Sequence, residues 1–257
     1  MSNSWLAPKH CQNHKPDSCY DSCPKPEPHE KKDCCCKNDM KKALKLLLDP
    51  TIYPAVLSNQ FAFISKKFLV GTSLELITDA NDFPSISNDN TDTPSATLSY
   101  IDPCQCDTLD ISADGYYYPI PVDPADPPDL YFIPSPVSKV SLCNLDAVIF
   151  NYDDTAVEDF ESALIELLDK NYKSCYSKPS NCFDDNCCCG DTIFHDLYKT
   201  HSFNNNFINI SAGWLSLYQA KVLGRVGNIL VLANSLPDKY RIYFVCLESV
   251  ELYNGIC

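Results

Sequence analysis

The chain has 257 residues, a formal net charge of −14 and 45% hydrophobic residues, and it contains sixteen cysteines. This composition excludes a chain that is disordered throughout, and the length allows one large or two small domains. The acidic charge argues against nucleic acid and against an anionic membrane as partners. Because neither a signal peptide nor an apolar run long enough for a transmembrane helix is recognisable, we expect synthesis in a cytosol.

Residues 1–33 are predicted to form a disordered tail rich in cysteine and proline, since five prolines stand among charges of both signs and aliphatic residues are scarce. The tail contains a set of side chains that metals prefer: His10, Cys11, His14, Cys19 and Cys23. Their spacing fits no zinc-finger template, so we interpret the cysteines as flexible cross-linkers, with a zinc site as the alternative.

Residues 34–150 are predicted to form a first unit, in which a short helix precedes antiparallel strands. Asp39 is placed to cap the helix, whose apolar residues recur at helical spacing as far as Leu48. Apolar runs predict strands at residues 61–65, 68–77, 96–101, 108–112, 116–122 and 137–150. Five prolines in residues 123–136 predict a stiff, extended connection between the last two of these strands.

Residues 151–186 are predicted to link two units. The pattern T-A-V-E from Thr155 has the form of a capping box, and the apolar stripe that follows it includes Phe160 and Leu164. We therefore predict an amphipathic helix over residues 155–171 that buries this stripe against both units. A loop with Cys175 and Cys182 follows the helix.

Residues 187–257 are predicted to form a second unit that is related to the first. Asp191 is placed to cap a short helix, and strands are predicted at residues 207–210, 214–223, 228–234 and 240–252. Each unit starts with three adjacent cysteines. The motif S-L-C-N-L-D-A-V around Cys143 resembles Y-F-V-C-L-E-S-V around Cys246 after a slip of one residue. Recurrence in a fixed order suggests duplication.

The predicted fold is α+β. It consists of two related antiparallel β units, each barrel-like and preceded by a short helix, which are joined by the amphipathic helix. The predicted divisions of the chain are the tail at 1–33, the first unit at 34–150, the linking segment at 151–186 and the second unit at 187–257.

The cysteine triplets Cys34–Cys36 and Cys187–Cys189 predict cross-linking between chains. Adjacent side chains of an extended chain point in opposite directions, and adjacent cysteines bridge one another only through a strained ring. Zinc ligands are usually separated by about two to four residues, which a triplet does not provide. The candidate cross-linking residues are Cys34, Cys35, Cys36, Cys187, Cys188, Cys189, Cys11, Cys19 and Cys23.

The remaining cysteines give no catalytic pattern. Cys143 and Cys246 stand inside strand patterns, so we expect both to be buried thiols in the core. A nucleophilic site built from Cys189, His195 and Asp196 has nothing in the sequence to order it. We therefore predict no catalytic residue, no bound cofactor and no metal.

Several motifs together resemble one known family. They are C-C-C-K-N-D-M-K-K-A-L-K-L-L from Cys34, N-Q-F-A-F-I-S from Asn59, C-Q-C-D-T-L-D-I from Cys104, Y-P-I-P-V from Tyr118, S-L-C-N-L-D-A-V from Ser141 and R-I-Y-F-V-C-L-E-S-V from Arg241. The combination closely resembles the CotA-type spore coat proteins of clostridia, which are structural proteins and not the multicopper oxidase of the same name. The resemblance runs, with gaps, from Cys34 to about Leu252.

The resemblance implies a non-enzymatic protein that is made in the mother-cell cytoplasm without a signal peptide and deposited on the spore surface. We therefore predict a self-assembling structural component of the spore coat that is cross-linked through its cysteines. Its expected partners are further copies of itself and other coat proteins. A cysteine-rich, zinc-binding protein is the alternative.

Overall fold

The computed structural model of the chain describes residues 35–49, 52, 60–65, 67–71, 86–87, 95–98, 101, 107–120, 129–152, 157–172, 193, 207–234 and 240–256. In these ranges it contains two helices, α1 (Cys35–Leu47) and α2 (Val157–Tyr172). Neither described helix is long and apolar enough to cross a lipid bilayer.

Thirteen strands accompany the helices in the described ranges. The strands before α2 are β1 (Gln60–Ser65), β2 (Leu69–Val70), β3 (Ile86–Ser87), β4 (Thr108–Ala113), β5 (Tyr116–Ile120), β6 (Asp129–Ile133), β7 (Val137–Ser141) and β8 (Leu145–Tyr152). The strands after α2 are β9 (Phe207–Ala212), β10 (Leu215–Val226), β11 (Ile229–Ala233), β12 (Tyr240–Cys246) and β13 (Val250–Ile256).

Eleven of these strands form one sheet. Ten of them follow the order β13-β9-β10-β11-β12-β8-β1-β2-β5-β6, and β3 pairs in parallel with β10. The sheet is open, because β6 and β13 each have one neighbour among the described strands. β4 and β7 form a separate two-stranded sheet.

The prediction of two barrel-like units is wrong, although the α+β class is confirmed in outline. β8 precedes α2 in the chain and β12 follows it, yet the two strands pair along their length, with Phe150 opposite Ile242 and Val148 opposite Phe244. Every residue of both strands is buried. A buried strand needs a neighbour on each side, because an unpaired backbone group in a core is costly. Strands from both parts of the chain therefore complete one another in a single sheet.

The centre of the sheet is buried on both faces. On one face, Phe63 and Phe244 belong to a cluster that also contains Leu44 of α1. On the other face, Ile64 and Tyr243 belong to a second cluster. Successive side chains of a strand point to opposite faces, so neighbours in sequence contribute to different clusters.

A bend in β10 lets one strand contribute to both clusters. Leu215 and Leu217 lie in the second cluster, whereas Leu223 lies in the first. The register with β9 shifts between Leu217 and Ala220, and Gln219 within the shift has a φ of 53°. An irregularity of this kind bends a strand and increases its twist. β9, which pairs with the first part of β10, consequently packs into the second cluster.

α1 begins earlier than predicted and is not capped by Asp39. Its first residue is Cys35, which places Asp39 inside the helix. The Asp39 carboxylate instead accepts a hydrogen bond from the backbone N–H of Asn228, with 3.0 Å between the heavy atoms, and it pairs with Lys42. Gly227 has a φ of +57°, and a Cβ at this position would overlap the carboxylate. Asp39 therefore attaches α1 to the turn between β10 and β11.

Two predicted strands are each divided by a short 3-10 turn. The first turn, Leu142–Asn144, separates β7 from β8, and the second turn, Leu247–Ser249, separates β12 from β13. The proline-rich connection also differs from the prediction, because it contains β6, which forms a hairpin with β5. Pro134 and Pro136 follow β6 and do not interrupt it. Prolines beside an edge strand leave its ladder intact.

α2 packs against strands that precede it and strands that follow it, as predicted. The ring of Phe160 stacks on Tyr152 of β8 with centroids 4.2 Å apart, and it meets the ring of Tyr240 in β12 edge-on at 6.4 Å. The Tyr240 hydroxyl donates a hydrogen bond to Glu161, which also pairs with Lys221 of β10. Burial and the Glu161 carboxylate raise the pKa of Tyr240, so the phenol stays protonated.

Several predictions fall on residues outside the described ranges. They are the N-terminal tail, the capping box at Thr155, the loop with Cys175 and Cys182, and most of the helix expected after Asp191, where Ile193 is described and is helical. Residues 68–77 and 96–101 are described in part, as β2 and as two isolated bridges. The divisions of the chain after residues 33, 150 and 186 stay predictions.

Candidate disulfide and cross-linking site

A disulfide joins Cys36 in α1 to Cys246, the last residue of β12. Their Cα atoms are 5.7 Å apart, and the sequence separation is 210. Both side chains are buried, with 6% of Cys36 and 4% of Cys246 exposed. Cys36 lies one helical turn before Met40, which is fully buried in the first core cluster. The bond therefore lies where α1 packs against the end of β12.

This bond corrects two expectations. The sequence predicts Cys36 as a cross-linker between chains, whereas its sulfur is bonded within the chain. Cys246 is buried as predicted, but it is part of a disulfide and is not a thiol. The argument about adjacent cysteines assumed an extended chain. In a helix, successive side chains are about 100° apart around the axis, so one member of a triplet can face the core alone.

The first and second turns are similar in structure, but their cysteines stand at different positions. Each turn begins with a buried leucine, Leu142 or Leu247. The cysteine of the second turn, Cys246, precedes its leucine and is buried. The cysteine of the first turn, Cys143, follows its leucine and is exposed. The expectation of a buried Cys143 is therefore wrong, because the 3-10 turn interrupts the alternation of a strand.

A buried hydrogen bond fixes the two turns relative to each other. Oγ of Ser249, in the second turn, donates to Oδ1 of Asp146, which lies just after the first turn. Both side chains are buried, and α1 contacts both turns. The helix, the disulfide and this hydrogen bond together hold the two turns around one space.

A cavity of about 390 Å³ opens in that space. Its wall includes the disulfide cysteines Cys36 and Cys246 and also Cys143. The charged residues of the wall are Lys37, Lys67, Asp146 and Glu248. Two positive and two negative side chains give the cavity no strong preference for an anion or a cation. Its distinguishing feature is that three cysteines from distant parts of the chain line it.

Cys36, Cys246 and Glu248 are the described residues whose ligand atoms lie close enough together to hold a metal ion, all within 4.8 Å of one another. Zinc binds cysteine as the thiolate. Both sulfurs here are joined in a disulfide, so this group does not fit zinc in its oxidised state. Among the described residues, the zinc alternative is thus restricted to the reduced chain, and the His and Cys cluster of the tail lies outside the described ranges.

The side chains of the other candidate cross-linking residues are not among those that the structure describes. Cys35 is the first residue of α1. Outside the described ranges lie Cys11, Cys19, Cys23, Cys34, Cys187, Cys188 and Cys189. Their role in cross-linking stays a prediction. The same ranges exclude the Cys-His-Asp group at residues 189–196.

The two open edges of the sheet form a second candidate site, which the sequence analysis missed. Large exposed hydrophobic side chains lie on both edge strands: Tyr131 and Phe132 on β6, and Leu252 and Tyr253 on β13. Neither strand contains lysine or arginine, the residues that commonly protect edge strands from other chains. The apolar run L-Y-F-I between prolines was the signal that could have revealed β6.

Comparison with known proteins identifies the family. Residues 34–254 match the family described as "Spore coat protein CotA-like". The chain is 34% identical to "Spore coat protein CotA" of Clostridioides difficile (strain 630) in an alignment 265 residues long. The alignment covers 86% of this chain and 83% of that protein. No solved structure is significantly similar to the chain. This chain belongs to the CotA-like family of spore coat proteins, which confirms the resemblance seen in its motifs.

Proposed function

We propose that this protein is a structural, non-enzymatic component of the spore coat, which assembles with copies of itself through the edges of its sheet and is cross-linked through cysteines. Family membership supports the place in the spore coat. The observation that carries the assembly proposal is the open sheet with exposed hydrophobic side chains on both edges. Other coat proteins are further proposed partners, and the mother-cell cytoplasm is the proposed place of synthesis.

The edge strands offer backbone groups that a second copy can use. In the described part of the chain, β6 pairs with β5 alone and β13 pairs with β9 alone. The outer N–H and C=O groups of such strands can continue the hydrogen-bond ladder into another chain. β6 has five residues and β13 has seven, so each can pair with most of the other. The exposed aromatic rings would pack across the added strand.

The proposed contact joins β6 of one copy to β13 of the next. These are two different surfaces, so the contact is heterologous. A heterologous contact that does not close into a ring produces an open filament. Repetition of this contact would extend the sheet from one subunit to the next along the filament.

A lysine on β6 tests the contact. Tyr131→Lys places a charge on the edge, and we expect it to abolish the ordered assemblies that electron microscopy would show for the oxidised, unaltered protein. Tyr218→Lys is the matched control. Tyr218 and Tyr131 are both 56% exposed, but Tyr218 lies in β10, which has strand neighbours on both sides. Equal assembly by the two variants would contradict the edge contact.

A mixing experiment identifies which edges meet. Tyr131→Lys blocks β6 and Leu252→Lys blocks β13, so each variant alone should stay monomeric in analytical ultracentrifugation. Their mixture should form heterodimers through the one intact edge of each chain. Dimers of Leu252→Lys alone would show that β6 pairs with itself, which rules out the heterologous contact.

The proposed cross-links use cysteines other than the bonded pair Cys36 and Cys246. The test therefore keeps Cys36 and replaces the other candidates by serine, namely Cys11, Cys19, Cys23, Cys34, Cys35 and residues 187–189. Covalent multimers on non-reducing gels should disappear, while the melting temperature should stay that of the unaltered chain. Multimers that persist and are removed by dithiothreitol would show that these candidates are not the cross-linking residues.

Metal analysis separates the proposal from the zinc-binding alternative. We expect no stoichiometric zinc in the purified, reduced protein. One zinc per chain that is lost when Cys11, Cys19 and Cys23 are replaced by serine would favour the alternative.

A further inference from the structure

The disulfide between Cys36 and Cys246 presents a problem of access. Its two side chains are 6% and 4% exposed. Thiol–disulfide exchange requires a thiolate to reach a disulfide sulfur directly, so its rate depends on access. A small thiol in solution meets little of this bond in the folded chain. A second thiol that lines the same cavity would offer a route by which electrons enter and leave the bond.

Cys143 supplies a thiol on such a route. Its side chain is exposed, and it lines the same cavity as both disulfide cysteines. Cys143 belongs to the first turn, which contacts α1, the helix that carries Cys36. The hydrogen bond from Ser249 to Asp146 ties the first turn to the second, which directly follows Cys246. Cys143 thus lies on the wall of the cavity that both disulfide cysteines line, and its side chain is exposed.

We infer that Cys143 is a relay thiol, through which the buried disulfide is reduced and formed by a small thiol–disulfide couple such as glutathione. The inference concerns a bond inside one chain. It therefore goes beyond the proposed coat function, and it stands whether or not chains are cross-linked to one another.

Reduction proceeds in three balanced exchanges. The Cys143 thiolate attacks one sulfur of the buried disulfide, forms a new bond to it and releases the other cysteine as a thiolate, which takes up a proton. A glutathione thiolate then attacks the exposed Cys143 sulfur, releases the second buried cysteine and leaves glutathione bonded to Cys143. A second glutathione regenerates the Cys143 thiol. The chain gains two electrons and two protons, and two glutathione molecules become one oxidised glutathione. Oxidation follows the same steps in reverse.

The decisive measurement is the rate at which reduced glutathione opens the bond in the folded, oxidised, full-length chain. Samples are quenched with acid, newly formed thiols are alkylated, and the peptides with Cys36 and Cys246 are quantified by mass spectrometry. Cys143→Ser should slow the opening about tenfold or more, because a positioned thiol replaces a hindered bimolecular attack. Opening at the unaltered rate would overturn the inference.

Three further variants keep the result specific to thiol chemistry. Cys35→Ser replaces the cysteine next to Cys36 in sequence and should leave the rate unchanged; an equal slowing there would assign the relay to Cys35. Asn144 also lines the cavity, so Cys143→Ser combined with Asn144→Cys should recover part of the rate. A chain with Cys36→Ser and Cys246→Ser should retain glutathione on Cys143 when treated with oxidised glutathione, and failure to find this adduct would contradict the route.

Discussion

The strands before α2 and the strands after it are joined at two places by different means. At the α2 contact, Phe160 stacks on Tyr152 and meets Tyr240 edge-on, and Glu161 accepts a hydrogen bond from Tyr240. At the turn contact, the disulfide between Cys36 and Cys246 and the hydrogen bond from Ser249 to Asp146 make the connection.

The difference shows that the two contacts of one fold can respond separately, one to a reductant and the other to the protonation of a phenol. The α2 contact depends on packing and on a protonated phenol, neither of which a reductant changes. The turn contact contains a covalent bond that a reductant removes. We therefore expect reduction to weaken the turn contact and to leave the α2 contact intact, and the following variants test this separation from the largest expected effect to the smallest.

Leu164→Asp should have the largest effect, because Leu164 of α2 is fully buried and the variant places an unpaired charge there. We expect the free energy of unfolding to fall by more than about 4 kcal/mol. Ser162→Asp is the control on the exposed face of α2 and should change it by less than about 0.5 kcal/mol. Urea unfolding followed by circular dichroism measures both. An equal loss in the two variants would show that Leu164 is not in a core.

Loss of the disulfide should have the next largest effect. We expect Cys36→Ser with Cys246→Ser to lower the free energy of unfolding by about 2–5 kcal/mol without reductant, since the bond closes a long loop. Cys143→Ser in the first turn should change it by less than about 0.5 kcal/mol. Dithiothreitol should lower the stability of the unaltered chain by the same amount as the double variant. The loss of stability caused by Leu164→Asp should be the same with and without dithiothreitol. A larger loss in dithiothreitol would mean that the two contacts are coupled.

Ser249→Ala should have an intermediate effect, because it leaves the buried Asp146 without the hydrogen bond from the second turn. The expected loss is about 1–3 kcal/mol. Asn144 occupies the matching position of the first turn and is exposed, so Asn144→Ala is the control and should be neutral. Thermal melts of the oxidised proteins measure the difference, and two equal melting temperatures would show that the turns are not tied by this bond.

Tyr240→Phe should have the smallest effect at neutral pH, about 1 kcal/mol for the lost hydrogen bond. Its effect on pH dependence is more informative. The pKa of Tyr240 is raised above its ordinary value of 10.0 in the folded chain. Below about pH 10 the phenol is protonated in both the folded and the unfolded chain, so its contribution to stability is complete. Above about pH 10 the unfolded chain loses this proton first, so the contribution falls as the pH rises.

The phenylalanine variant should therefore lose stability less steeply above about pH 10 than the unaltered chain. Tyr118→Phe, at an exposed site in β5, should leave the slope unchanged. Denaturant unfolding between pH 8 and 11 tests this, and parallel curves for all three proteins would show that Tyr240 does not titrate differently in the folded state.

Helix faces and most strands could be predicted because their patterns are local. The stripe of α2 recurs at helical spacing, and β9 alternates between buried and half-buried residues. β8 and β12 were predicted as parts of strands but not as partners, because a strand buried on both faces carries no alternation that distinguishes its neighbours. The first and second turns interrupt two predicted strands. They could not be predicted, because their residues fit a strand equally well.

The site could be predicted only in part, because its contacts join residues that are far apart in sequence. With sixteen cysteines, the pairing of Cys36 with Cys246 cannot be deduced from spacing. Once the fold places the start of α1 over the end of β12, the pairing follows from geometry. The exposure of Cys143 depends on a turn that the sequence pattern does not announce, and the open edges depend on the order of strands in the sheet.

The disulfide also determines how a mechanical load passes through the molecule. Residues before Cys36 and residues after Cys246 lie outside the covalent loop that the bond closes. A pull between the N-terminal segment and the end of the chain is carried through the bond, so the strands enclosed by the loop, from β1 to β12, bear no tension. Of the described strands, β13 alone lies on the loaded path. In the oxidised protein, such a pull could detach β13 from the sheet while leaving the strands from β1 to β12 in place.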